Sequence, residues 1–187
     1  MSPILGIIAS QNYPRITSSY ESIATVTLGS AQSTVTFSSI PSTYKHLQIR
    51  GMAGLTGTNN DYWNLPFYVN GDTGNNYARH GLRGNGSSVN TTALASISRM
   101  YVYDCVPNFT NSSTFGVFVI DLLDYKETSK YKTMRALSGT DSNGSGGVAL
   151  ASSLWMNTNA ITSITLEADA GLNFRQYSTF ALYGIKD

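Results

Sequence analysis

The sequence predicts an all-β, single-domain β-sandwich or jelly roll with an extended N-terminal arm, and three observations predict it. Apolar and polar residues alternate with period two in short runs along most of the chain, the pattern of strands that bury one face. Clusters of Gly, Asn, Ser and Thr separate those runs at the spacing expected of turns in a sandwich. Charged residues make up only 12% of the chain, about half the usual share. The polar surface must then come from Ser, Thr, Asn and Gly, which suits strands and turns rather than the Glu- and Lys-rich faces of exposed helices.

Residues 1–19 read as the arm and 20–187 as the sandwich domain. In the arm, Ile4, Leu5, Ile7 and Ile8 form an apolar run that needs cover. Packing along its own domain as an edge strand is the plain account. Insertion into a neighbouring subunit or a partner is the sharper one, and makes these four residues the candidate attachment set. From Tyr20 to Leu28 the residues Ala24, Val26 and Leu28 share a face, and Ser33 to Phe37 alternates again after a turn at Gly29–Gln32, suggesting a hairpin. Lys45 to Arg50 places Leu47 and Ile49 inward and His46, Gln48 and Arg50 outward. Gly51 to Asp61 reads as a long loop, Leu65 to Asn70 as a strand, and Asp72 to Asn90 as a second loop in which Tyr77, Arg79, His80 and Arg83 are embedded.

Ile97 to Val106 is the next strand. Phe115 to Leu123 is apolar on both faces, as in a central strand covered on both sides, by the domain's own core on one side and by a subunit interface or a loop on the other. Asp124 to Lys130 has room for one helical turn. Tyr131 to Leu137 alternates, with Tyr131, Thr133, Arg135 and Leu137 on one side and Lys132, Met134 and Ala136 on the other. Val148 to Met156, Ile161 to Ala168 and Ser178 to Ile185 complete a count of roughly nine or ten short strands.

The chemistry-bearing residues are sparse. Twelve basic and 11 acidic residues give a net charge of +1, and the basic ones are scattered rather than clustered as phosphate backbones require, so nucleic acid is not expected as a partner. The single cysteine, Cys105, allows no intrachain disulfide, and no Cys/His set suits zinc. No apolar run approaches the roughly 20 residues that span a bilayer, and the N-terminal residues lack a positively charged n-region, so a soluble chain made in a cytoplasm, with no membrane partner, is expected.

Of the two histidines, His46 alternates outward on a strand and His80 falls in a loop, and no nucleophile elbow accompanies them. Asp121 interrupts the apolar run Phe115–Leu123 and needs a partner there. A structural hydrogen bond or an ion pair to an arginine is the preferred account. Asp141 to Gly146 resembles the start of a calcium loop, but Ser152 stands where the bidentate Glu should be, so a plain turn is expected. Catalytic residues, a cofactor and a metal are not expected, and the chain reads as non-enzymatic. The aromatic residues leave two accounts open. Tyr62, Trp63, Tyr77 and Trp155 either cap the ends of the core or form a sugar-stacking platform beside Asn and Asp. Tyr62, Trp63, Tyr77 and His80 are the candidate recognition residues of the surface loops.

Several segments carry a resemblance. ILGIIASQ near the start, SYESIATVT at Ser19–Thr27, FSSIPSTYKHLQIRG at Phe37–Gly51, LDYK at Leu123–Lys126, KYKT at Lys130–Thr133, ITSITL at Ile161–Leu166 and FALYGIK at Phe180–Lys186 resemble small virion-associated proteins of tailed bacteriophages, including cyanophages. The resemblance covers most of the chain, and its motifs are strands and turns without a catalytic signature. It implies a sandwich module, usually a homotrimer, attached to a capsid or tail, and therefore localisation in the virion. Two functions follow as expectations. One is a capsid decoration, or cement, protein that stabilises the shell through contacts with the major capsid protein. The other is a tail or fibre component, or an adhesin for a host surface glycan, contacting tail proteins of the same virion.

Overall fold

The computed structural model describes residues 18–59, 61–108 and 113–186. Twelve strands follow one another: β1 Tyr20–Thr27, β2 Thr34–Phe37, β3 His46–Ala53, β4 Asp61–Val69, β5 Tyr77–Gly84, β6 Val89–Ile97, β7 Met100–Asn108, β8 Gly116–Leu122, β9 Lys132–Asp141, β10 Gly146–Trp155, β11 Ile164–Glu167 and β12 Thr179–Ile185. A 3-10 turn at Asp169–Gly171 is the one helical segment among the described residues. The strands form two sheets, an eight-stranded one in the order β1-β12-β3-β8-β9-β10-β5-β6 and a four-stranded one in the order β2-β11-β4-β7. Every pairing is antiparallel.

The period-two pattern decides which residues meet between the sheets. Leu47, Ile49, Phe118, Ile120, Met134 and Phe180 from the larger sheet share one core with Phe37, Leu65, Phe67, Val102, Ile164 and Leu166 from the smaller. Burying each such side chain contributes about 1.5–3 kcal/mol. This is the all-β sandwich the alternation predicts. Strand β7 lies over β9 and β10 and reaches β5, while β6 extends the larger sheet past the smaller one as its edge.

Several local expectations are corrected. β1 and β2 do not form a hairpin: β1 pairs with β12 and β2 with β11, in different sheets. The connection is pinned instead to the segment entering β12, where the Leu28 N–H donates to the Ser178 carbonyl at 2.9 Å and Gln32 and Phe174 exchange backbone bonds. The segment Asp72–Asn90 is not a loop but holds β5 and the start of β6. Its turn is closed by the Asn85 side-chain oxygen, which accepts the N–H groups of Ser87 and Ser88 at 3.1 and 2.8 Å. Gly86 sits at φ +89°, where glycine carries no Cβ penalty. The loop expected over Gly51–Asp61 is shorter, because β3 runs to Ala53 and β4 begins at Asp61. The segment after β8 makes turns rather than a helical turn, with Asp124 at φ +49°.

Strand β8 is central, between β3 and β9, but only one of its faces is covered, and Val117 on the other is 53% exposed. On β3, Leu47 and Ile49 face the core as expected. Gln48 faces outward yet is buried, because its amide donates to Asp121 at 2.7 Å and its oxygen accepts from Arg50. Asp121 has the arginine partner its setting calls for: Arg135 donates to it at 2.9 Å. Lys132 lies on the core side of β9, buried, with its ammonium donating to the carbonyls of Glu127, Lys130 and Thr158. Of the arm, residues 1–17 lie outside the described residues, and so do the attachment candidates Ile4, Leu5, Ile7 and Ile8.

Candidate functional site

A cleft of about 410 Å³ opens where β4 and β7 of the smaller sheet meet the β5–β6 ribbon of the larger one; its lining includes Asp61, Tyr62, Trp63, Asn64, Arg83, Asn90, Tyr103 and Asp104. A β-bulge shapes it. Trp63 opposes Val106 and Leu65 opposes Val102, so Asn64 stands against three residues of β7. The extra length is absorbed at Asp104, whose φ is +44°, a left-handed conformation that L-residues other than Gly, Asn and Asp seldom hold. The Asp104 N–H reaches the Asn64 side-chain oxygen at 3.4 Å.

The bulge aims Asp104 at β5, where one Arg83 nitrogen donates to both carboxylate oxygens, at 3.0 and 2.7 Å. Burial pushes the Asp104 carboxyl above its ordinary value, the Arg83 charge and hydrogen bond oppose that, and the neighbouring Asp61 carboxylate adds to it. Beside it, the Tyr103 ring packs on Gly81, where a Cβ would stand 2.3 Å from the ring. Burial raises the Tyr103 phenol against the opposing pull of the Arg79 charge and the Thr92 hydroxyl. The Arg79 guanidinium lies 4.0 Å from the Tyr101 ring centre and 5.1 Å from that of Tyr103, a cation–π stack that ties β5 to β7.

On the other strand, the Tyr62 hydroxyl donates to Ser145 of the β9–β10 turn at 2.8 Å. Trp63 packs against the core and is half-buried. Its indole Nε1 is buried with no hydrogen-bond partner, which leaves a donor unmet at a typical cost of about 1–3 kcal/mol.

The structure divides the predicted recognition set. Tyr62 and Trp63 sit together on β4, in a strand rather than a loop. Tyr77 is fully buried; its hydroxyl donates to the Asp72 carbonyl at 2.9 Å, and burial pushes its phenol up to about 12, so it belongs to the core. His80 is exposed on β5. Its side chain shares the outer face of the larger sheet with Ser152 opposite, and it does not line the cleft. Trp155 is buried as well, so the capping account holds for it and for Tyr77. Sequence reasoning missed Tyr103, Asp104 and Arg83 as site residues. The available signal was an acid inside the apolar run Met100–Val106, the same signal that singled out Asp121.

His46 is half-buried rather than free on the surface: its Nδ1 accepts the Asp124 N–H at 2.9 Å. The segment Asp141–Gly146 makes a plain hairpin turn, with the Asn143 N–H donating to Asp141 at 2.9 Å. Among the described residues, no three His, Cys, Asp or Glu side chains are grouped to hold a metal, and no helix is long and apolar enough to cross a membrane. No known protein family, curated protein or solved structure matches the chain.

Proposed function

We propose that this chain is a non-enzymatic structural subunit of a bacteriophage virion, a capsid decoration protein that self-associates and braces the major capsid protein. The observation that carries the reading is the outer face of the larger sheet. The strand register places Met52, Val117, Gly139, Val148, Gly84 and Val89 in one row, and Val119, Leu137, Leu150 and Leu82 in the next. Val117, Leu137, Val148 and Leu150 are 53%, 55%, 61% and 49% exposed. With Met52, Leu82 and Val89 they present on the order of 600 Å² of apolar surface, at or above the largest patch of an ordinary monomer.

A face of that size approaches the roughly 800 Å² per partner of a standard interface. Its rim is polar, with Arg50 and the Asp121–Arg135 pair beside the aliphatic rows, the arrangement of interface cores and rims. The occupant we assign is a second copy of this chain. The trimer implied by the sequence resemblance divides each face between two neighbours, and closed symmetry then leaves no apolar row open. The arm residues Ile4, Leu5, Ile7 and Ile8 serve in this reading as the attachment to the capsid.

Sedimentation of the native chain against Leu137→Lys and Leu150→Lys variants tests the self-association. The native chain is expected to sediment as a trimer and each variant as a folded monomer. A native chain that stays monomeric at roughly 100 μM, about a hundredfold above a micromolar dissociation constant, sinks the proposal. Co-pelleting with undecorated capsids tests the attachment. Deleting residues 1–10 should abolish it, and undiminished pelleting removes the arm from the mechanism.

A further inference from the structure

We infer that the cleft between β4, β7 and the β5–β6 ribbon is a binding site for a neutral saccharide, a property distinct from self-association, although the cleft borders that face and shares Leu82 with it. The volume of about 410 Å³ lies near the lower end of small-ligand clefts, which begin at about 300 Å³. It admits a sugar unit or two and excludes a folded partner.

The lining has the two kinds of group a sugar needs. Tyr62 and Trp63 offer aromatic surface, against which the C–H face of a pyranose ring packs. Around them stand Asp61, Asn64, Asn90, Thr91 and Thr92. Carboxylate, amide and hydroxyl groups together match vicinal sugar hydroxyls, each of which both donates and accepts.

Charge narrows the class. The cleft is lined by two carboxylates, Asp61 and Asp104, and one guanidinium, Arg83. That guanidinium is already held by Asp104. The formal balance is therefore −1, and among the described lining residues no cation stands without a carboxylate partner to receive a sulfate, phosphate or sialic carboxylate, whose recognition relies on charge-assisted bonds to Arg or Lys. The walls are also fixed before any ligand arrives: Tyr62 is tied to Ser145, Asp104 to Arg83 and Asn64, and Trp63 to the core. Such preorganisation lowers the ordering cost of binding.

The full chain is titrated with maltotriose, cellotriose, mannotriose and triacetylchitotriose, and with 3′-sialyllactose as the anionic comparison, reading tryptophan emission. Trp155 is fully buried, so a ligand-dependent change reports on Trp63. At least one neutral trisaccharide should bind saturably at about millimolar concentration or below. Asn90→Ala, at an exposed position on the rim, should weaken it by roughly fivefold or more with an unchanged melting temperature, and Trp63→Phe should weaken it further. The inference is overturned if none of the four binds up to about 20 mM, if both variants bind like the native chain, or if sialyllactose binds more tightly than every neutral sugar. Leu137 and Leu150 do not line the cleft, so failure here leaves the self-association proposal standing, and the reverse also holds.

Discussion

Trp155 shows how a single polar atom sets a local balance. Its indole N–H donates to the Asp72 carboxylate at 2.7 Å while its ring fills the core. Burial alone would raise the Asp72 carboxyl, but the donors of Trp155, Asn76 and Gly74 together hold it below its ordinary value. A carboxyl depressed in the folded state contributes stability above its unfolded pKa of about 4, and that stability is lost as pH falls through the folded value. Trp155→Phe should therefore cost about 2 kcal/mol at neutral pH and much less at low pH, where Asp72 is protonated. Urea unfolding at the two pH values, followed by circular dichroism, checks this; an equal loss at both assigns the effect to packing. Cys105 makes a second case. Burial drives its thiol well above the ordinary range, and only thiolates react readily. A thiol reagent should leave Cys105 unmodified in native buffer and modify it promptly in denaturant, and rapid native labelling would show that β7 opens.

Strands β7 and β8 show what the elements demand of each other. A Cβ at Gly116 would lie 1.8 Å from the Cys105 carbonyl oxygen and 2.4 Å from the Thr140 hydroxyl. Both atoms are held by the fold, the second by its bond to the Asp104 carbonyl at 3.2 Å. Gly116→Ala should destabilise the sandwich by about 3 kcal/mol or more through overpacking, seen as a lowered melting temperature; an unshifted melt would mean that the two sheets separate freely at this end. Strand β3, with Leu47 and Ile49 on its buried face, was legible in the sequence because burial alone writes its alternation. Strand β5 was not. Its inner positions are Arg79, Gly81 and Arg83, packed under or beside Tyr101, Tyr103 and Asp104 of β7. Glycine and arginine in that setting read as loop. The cleft was hidden for the same reason: Trp63 was visible as an aromatic, but its neighbours Arg83 and Asp104 come from strands joined only by the fold.

At the scale of the whole molecule, the fold class followed from composition and period, whereas the assignment of strands to sheets did not, because local alternation says nothing of a partner more than a hundred residues away. The apolar outer face was signalled indirectly, by the doubly apolar run Phe115–Leu123, and the register of β8, β9 and β10 extends it into continuous rows. If those rows drive association, raising the ionic strength should leave the assembly intact or tighten it, since apolar contacts are not screened; dissociation by salt in a sedimentation series would point to ion pairs instead. The pairing of β1 with β12, with Tyr20 opposite Ile185, carries a kinetic consequence. A chain whose opening strand waits for its closing one has contacts of long sequence range, and such topologies fold on the slow side, in milliseconds to seconds. On the ribosome, β1 and β2 emerge long before their partners β12 and β11, so these early strands stay unpaired until β11 and β12 appear.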